Sequence, residues 1–124
     1  MAMKIGEQTS TQKQLLYESI KPLQKQGAPI IIVAAVGESE VIANACKENG
    51  IIVSVICDNI LGKSKIPFCG IEVVHTPSLP NRFPTARFII VSQHIQDCVE
   101  QLISLGYNEF YSPLELLDSY DLDK

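Results

Sequence analysis

Ile30-Ile31-Ile32-Val33-Ala34-Ala35-Val36 is an unbroken apolar run, β-branched over its first four residues. A strand with one wet face alternates polar and apolar residues; a run without alternation is covered on both faces. That places it in the interior of a parallel sheet. Glu38 to Asn49 follows as a helix, with Val41, Ile42, Ala45 and Cys46 on one face and Glu40, Asn44, Lys47 and Glu48 on the other. Gly50 sits where a helix closes through a left-handed residue. Ile51 to Cys57 repeats the pattern of a buried strand and ends at Asp58-Asn59.

Further along, Gly62 to Gly70 is a polar loop and Ile71 to Val74 a short third strand. Pro77 and Pro80 exclude regular structure from the next stretch, apart from a brief turn. Arg87 to Ser92 is a fourth strand. Ile95, Cys98, Val99, Leu102 and Ile103 form a helical stripe that Gly106 stops. Phe110-Tyr111 is a short fifth strand. Ser112-Pro113-Leu114-Glu115 is a capping box with proline at the first helical position, so a last helix runs from Pro113 to about Ser119. Upstream, Ser10 or Thr11 caps a first helix whose apolar positions are Leu16, Ile20 and Leu23. Pro22 kinks or ends it, and Gly27 and Pro29 close the leader.

Strands alternating with helices through short connections require a parallel sheet, and right-handed crossovers leave few topologies. The expected fold is therefore α/β: a Rossmann-like open parallel sheet of about five strands, order 3-2-1-4-5, with helices on both faces. Residues 1–27 are a leader helix packing on or near the sheet, 28–119 the Rossmann-like domain, and 120–124 a polar tail or the start of a linker.

Composition narrows the functional classes. At 124 residues the chain fits one domain, able to bury roughly two-thirds of its unfolded surface. Hydrophobic residues at 46% and charged residues at 19% suit a globular protein. Neither Ala28 to Gly37 nor Gly50 to Cys57 approaches the roughly 20 apolar residues of a membrane span, and Met1 to Ser10 lacks the apolar stretch of a signal peptide. These features point to a cytoplasmic protein without membrane insertion. The net charge is −4, and Lys63/Lys65 and Arg82/Arg87 are the only local basic groups, so nucleic acid is not an expected partner. Cysteines 46, 57, 69 and 98 show no C-x-x-C spacing, and reduced core thiols account for them better than metal or redox chemistry.

In an open parallel sheet, ligands sit beyond the carboxyl ends of the strands where the winding reverses. Ala35 to Ser39, Cys57 to Ile60 and Ser92 to His94 converge there. A dinucleotide loop needs G-x-G-x-x-G so that backbone approaches the pyrophosphate at a helix start. Here the three glycine positions fall on Ala34, Val36 and Ser39, with Gly37 out of register and Val36 branched where phosphate would rest. The segment is either a looser anion-binding turn using Gly37 and Ser39, or a tight turn without ligand. Asp58 follows Ala34 at close to the roughly 20-residue spacing of a ribose-binding acid; equally, Asp58-Asn59 is a turn. A carboxylate there suits a hydroxyl-bearing sugar and disfavours NADP. Ser92 suits an N-cap, while His94 is either solvated or a general base or phosphate contact. His75 lies to the side. No catalytic triad, carboxylate pair or metal site is defensible.

Ile30 to Ala35, Glu48-Asn49-Gly50, Val55-Ile56-Cys57-Asp58-Asn59, Gly70-Ile71-Glu72-Val73-Val74, Ile89-Ile90-Val91-Ser92 and Gln101 to Tyr107 carry a resemblance. Over about residues 28 to 118 the chain resembles a bacterial Rossmann-like module. That module is found at the N-terminus of PglD-like sugar acetyltransferases, ahead of membrane-bound nucleotide-sugar dehydratases, and beside FkbM-like methyltransferase domains. The resemblance implies a nucleotide-sugar binder holding a uridine diphosphate moiety. Gly37, Glu38 and Ser39 would lie at the diphosphate, Asp58 and Asn59 near the nucleoside, and Ser92, Gln93 and His94 across the cleft. The sequence departs from the module at Ala34, Val36 and Ser39. It also lacks the hexapeptide repeats that transfer acetyl groups, so the chain alone is not expected to be an enzyme.

The expected function is a non-catalytic nucleotide- or nucleotide-sugar-binding domain associated with a surface-glycan or sugar-modifying transferase, its catalytic domain in cis or in a partner subunit. One alternative is a ligand-free structural or homodimerisation domain, and a second is a small NAD-dependent oxidoreductase.

Overall fold

All four residues of β1 (Ile30–Val33) are buried, as a strand covered on both faces requires. In the computed structural model, which describes residues 10–64 and 66–113, β1 lies at the centre of a five-stranded sheet. It pairs in parallel with β2 (Val53–Cys57) on one side and β4 (Arg87–Ile90) on the other. The remaining strands, β3 (Val73–Val74) and β5 (Phe110–Tyr111), are the two-residue edges, also parallel. The order is β3-β2-β1-β4-β5, so the chain is an α/β protein with a Rossmann-like sheet wound in both directions from β1.

Side chains alternate between two cores. Ile30, Ile32, Ile56 and Ile89 meet Leu16, Ile20 and Leu23 of the leader and Val41, Ile42 and Cys46 of α2 (Gly37–Glu48). Helix α1 (Ser10–Ile20) thus covers its own sheet: Leu16 and Ile20 are each 1% exposed. On the opposite face Ile31, Val33, Cys57, Phe88 and Ile90 pack with Leu79 of α3 (Leu79–Arg82) and Leu102 of α4 (Ile95–Ser104). Phe88 meets Tyr107 edge-on, ring centroids 4.7 Å apart.

Local chemistry explains where the elements stop. Gly50, at φ 72°, closes α2: its N–H donates to Lys47 O, and the Ile51 N–H to Cys46 O. Ile51 therefore belongs to the helix closure, and β2 begins at Val53 rather than at Ile51 as expected. β3 is likewise shorter than Ile71 to Val74, because Ile71 and Phe68 bond each other across a tight turn. β4 ends at Ile90 instead of Ser92.

The stretch holding Pro77 and Pro80 is more regular than expected. Each proline sits in the first turn of a helix, a 3-10 turn at Thr76–Ser78 and then α3, where a missing N–H removes no bond. Pro22 does end α1, and a 3-10 turn carries on through Lys21–Gln24. Ile103 leaves the stripe of α4 and is 55% exposed. The helix expected from Pro113 to Ser119 lies outside the described residues beyond Pro113, as do residues 1–9 and the tail at 120–124. No helix among the described residues is long and apolar enough to cross a membrane.

Candidate functional site

The turn after β1 opens on a left-handed residue and is closed from within by a side chain. Ala34, at the first glycine position, adopts φ 79°, a left-handed conformation that ordinary residues enter at a cost of roughly 1–2 kcal/mol. Its N–H still donates to Cys57 O at 2.7 Å, so the sheet continues as the chain turns away. Ser39, at the third glycine position, is fully buried. Its hydroxyl donates to Ala34 O at 2.6 Å and accepts the Val36 N–H at 3.2 Å. Those bonds hold the turn from inside. Gly37 and Glu38, half-buried, form the first turn of α2, and Val36 faces outward at 37% exposure.

Asp58 ties this turn to the loop after β2. One carboxylate oxygen accepts the Ala35 N–H at 3.0 Å; the other accepts those of Ile60 at 2.8 Å and Leu61 at 2.7 Å. Burial works to raise its pKa, but the three backbone N–H groups outweigh it and hold the carboxyl below its ordinary 3.8. Asp58 therefore performs the turn role completely, and also locks together the ends of two neighbouring strands.

Between these ends and α4 lies a cavity of about 340 Å³. Four of the residues expected from sequence line it: Asp58, Asn59, Ser92 and His94. The other four do not. Gly37, Glu38 and Ser39 sit away from the lining at the start of α2, and Gln93 is exposed outside it. Ser92 is not the N-cap of α4 as expected; that place is taken by His94, without a side-chain cap, while the Ser92 hydroxyl accepts the His94 N–H at 3.0 Å. His75 lines a different cavity, beside the Glu72–Arg82 ion pair near the β3 edge.

Sequence reasoning missed Thr76, Asp97, Cys98 and Gln101, which also line the cavity. The signal for three of them was periodic. From His94, positions 97, 98 and 101 are the i+3, i+4 and i+7 neighbours on one helix face. Gln101 meets Asn59 across the opening, each amide donating to the other, at 3.0 and 2.9 Å.

The thiols are not activated. Burial pushes both Cys46 and Cys57 up to about 12, and Cys98 is raised first by its own partial burial. Among the described residues no group of His, Cys, Asp and Glu is arranged to hold a metal ion. Among the described residues the lining carries Asp58 and Asp97 and neither lysine nor arginine. The arginines are engaged elsewhere: Arg82 forks onto Glu72 at 2.7 and 3.1 Å, and Arg87, at the opposite edge of the sheet, binds the carbonyls of Lys25 and Ala28.

No family model, curated protein or solved structure matches the chain. The functional reading therefore stands on the residues themselves.

Proposed function

We propose that this chain is a non-catalytic Rossmann-like domain that binds a nucleotide or nucleotide-sugar at the crevice beyond β1, β2 and β4. In this reading it serves a sugar-modifying transferase whose chemistry resides in another domain or subunit, as the resemblance to the acetyltransferase-linked module implies. One observation carries the proposal. Two loops far apart in sequence bring Asp58, Asn59, Ser92 and His94 onto one cavity at the point where the sheet reverses its winding. Hydroxyl, amide and carboxylate groups set around a cavity suit the many hydroxyls of a nucleoside or sugar. The non-catalytic part of the reading is supported by the thiols, all held toward their protonated forms where a shift is resolved.

Recording amide shifts while adding uridine and adenine nucleotides tests the proposal. Shifts concentrated at Asp58, Asn59, Ser92 and His94 are expected; their absence at millimolar nucleotide removes ligand binding from the account.

A second reading, an assembly domain, is favoured by a different observation. Ile60, Leu61 and Ile66 stand exposed on one connection, Ile60 at 81%. The leader stripe, Leu16, Ile20 and Leu23, is already covered by its own sheet. Light scattering at two concentrations separates this reading, since an obligate assembly holds its mass on dilution. The NAD-dependent oxidoreductase has the least support, because Ser39 fills the turn that a pyrophosphate would approach.

A further inference from the structure

Asn59 and Gln101 hold each other across the cavity mouth from different elements, one leaving β2 and the other on α4. Asn59 Nδ2 donates to Gln101 Oε1 at 3.0 Å, and Gln101 Nε2 donates to Asn59 Oδ1 at 2.9 Å. Each amide thereby satisfies one donor and one acceptor on a group of its own kind. The bonds are exposed, so exchanging them for equivalent bonds to a ligand changes little in free energy. Parting the pair frees two donors and two acceptors: an amide edge takes one of each, an imide edge takes both donors and one acceptor, and water at the exposed mouth takes the rest.

The surroundings restrict which ligand that is. Asp58 and Asp97 line the cavity, without a lysine or arginine among the described residues, and three backbone N–H groups favour the ionised form of Asp58. A phosphate in this lining meets the two carboxylates Asp58 and Asp97, which repel it. Ile60, in the same lining and 81% exposed, offers apolar surface to the flat side of a ring. Paired amides, an apolar side chain and two carboxylates together describe a site for an uncharged heterocycle with a cyclic amide or imide edge.

We propose that Asn59 and Gln101 are the specificity-determining pair of this cavity. They part to take the amide edge of an uncharged ring, of which uracil is an example, and phosphate attached to that ring adds nothing to binding here. This inference rests on the binding reading above and narrows it to the base rather than the diphosphate.

The test compares four probes by amide and side-chain NH₂ shifts: uridine, 3-methyluridine, uridine diphosphate and inorganic phosphate. Uridine is expected to move the NH₂ signals of Asn59 and Gln101, and 3-methyluridine, which lacks the ring N–H, to bind about tenfold more weakly, the scale of one lost hydrogen bond. Uridine diphosphate should bind no tighter than uridine within about twofold, and phosphate should leave the cavity signals unmoved. Gln101→Leu, checked for an unchanged pattern of core amide signals, should lose about tenfold for uridine. Binding of uridine diphosphate about tenfold tighter than uridine, with shifts over Gly37 to Ser39, overturns this inference and leaves the nucleotide reading standing. Full affinity in Gln101→Leu also overturns it. Silence toward all four probes defeats both.

Discussion

Ala34 holds a left-handed φ of 79° where glycine is the natural occupant, and the residues around it supply what glycine would have given. Ser39 closes the turn from within and Asp58 pins its far side. The spacing between Ala34 and Asp58 was legible in the sequence; the direction in which the carboxylate points was not, because turn and ribose roles place the same residue at the same position. Its three backbone bonds give a prediction about acid. A carboxyl held below 3.8 in the folded protein binds fewer protons than in the unfolded chain, so its stabilising contribution is full well above pH 4 and is lost as pH falls through the folded value. Asn at this position cannot accept from both sides, since its NH₂ would face either Ala35 or the Ile60 and Leu61 pair. Asp58→Asn is therefore expected to lose about 1–2 kcal/mol at pH 7 in urea unfolding. The gap to the wild type should narrow at pH 3; an equal gap at both pH values would show that the ionised carboxylate is not responsible.

Among the elements, strands were the most readable, because covering on both faces leaves a run such as Ile30 to Val33 with no polar position. Their ends were less so. The backbone N–H of Ile51 is captured by the closure of α2, and that competition depends on Gly50 adopting φ 72°. The prolines at 77 and 80 misled in the opposite direction: proline stops a helix from inside but starts one readily. Gly62 shows another limit of sequence, since an added Cβ would lie 2.4 Å from the His75 nitrogen, a close approach visible only once the loop is folded onto β3.

Arg87, counted in the sequence only as one of a few basic groups, is 7% exposed and fastens the leader to β4. Its guanidinium donates to Ala28 O at 2.8 Å, Lys25 O at 3.0 Å and Leu23 O at 3.5 Å. Arg87→Met keeps the aliphatic stem and removes these bonds, and should cost about 2–3 kcal/mol. Trypsin cleavage after Lys25 should accelerate about tenfold relative to other sites, following the local opening of the leader. A uniform rise at every site would assign Arg87 to global stability instead.

At the scale of the whole molecule, alternation and handedness narrow the strand order to a few topologies, and the observed order β3-β2-β1-β4-β5 places the crevice. What fills the rim of that crevice was only half legible. Residues on the loops after β2 and β4 announce themselves by following strands, whereas Gln101 is one polar residue among several on α4 until the loop carrying Asn59 is laid across it. The helix start at Gly37 to Ser39, which the resemblance puts at the diphosphate, is not part of the cavity lining. The molecule thus keeps the Rossmann-like frame while its polar groups gather on the α4 side.

A crystal structure grown with uridine tests this account most directly. The account expects the ring between Ile60 and α4, its amide edge against a separated Asn59 and Gln101, with β1 and β2 parallel beneath it. Ordered ligand over Gly37 to Ser39 instead, or an empty crevice at millimolar uridine, would contradict it.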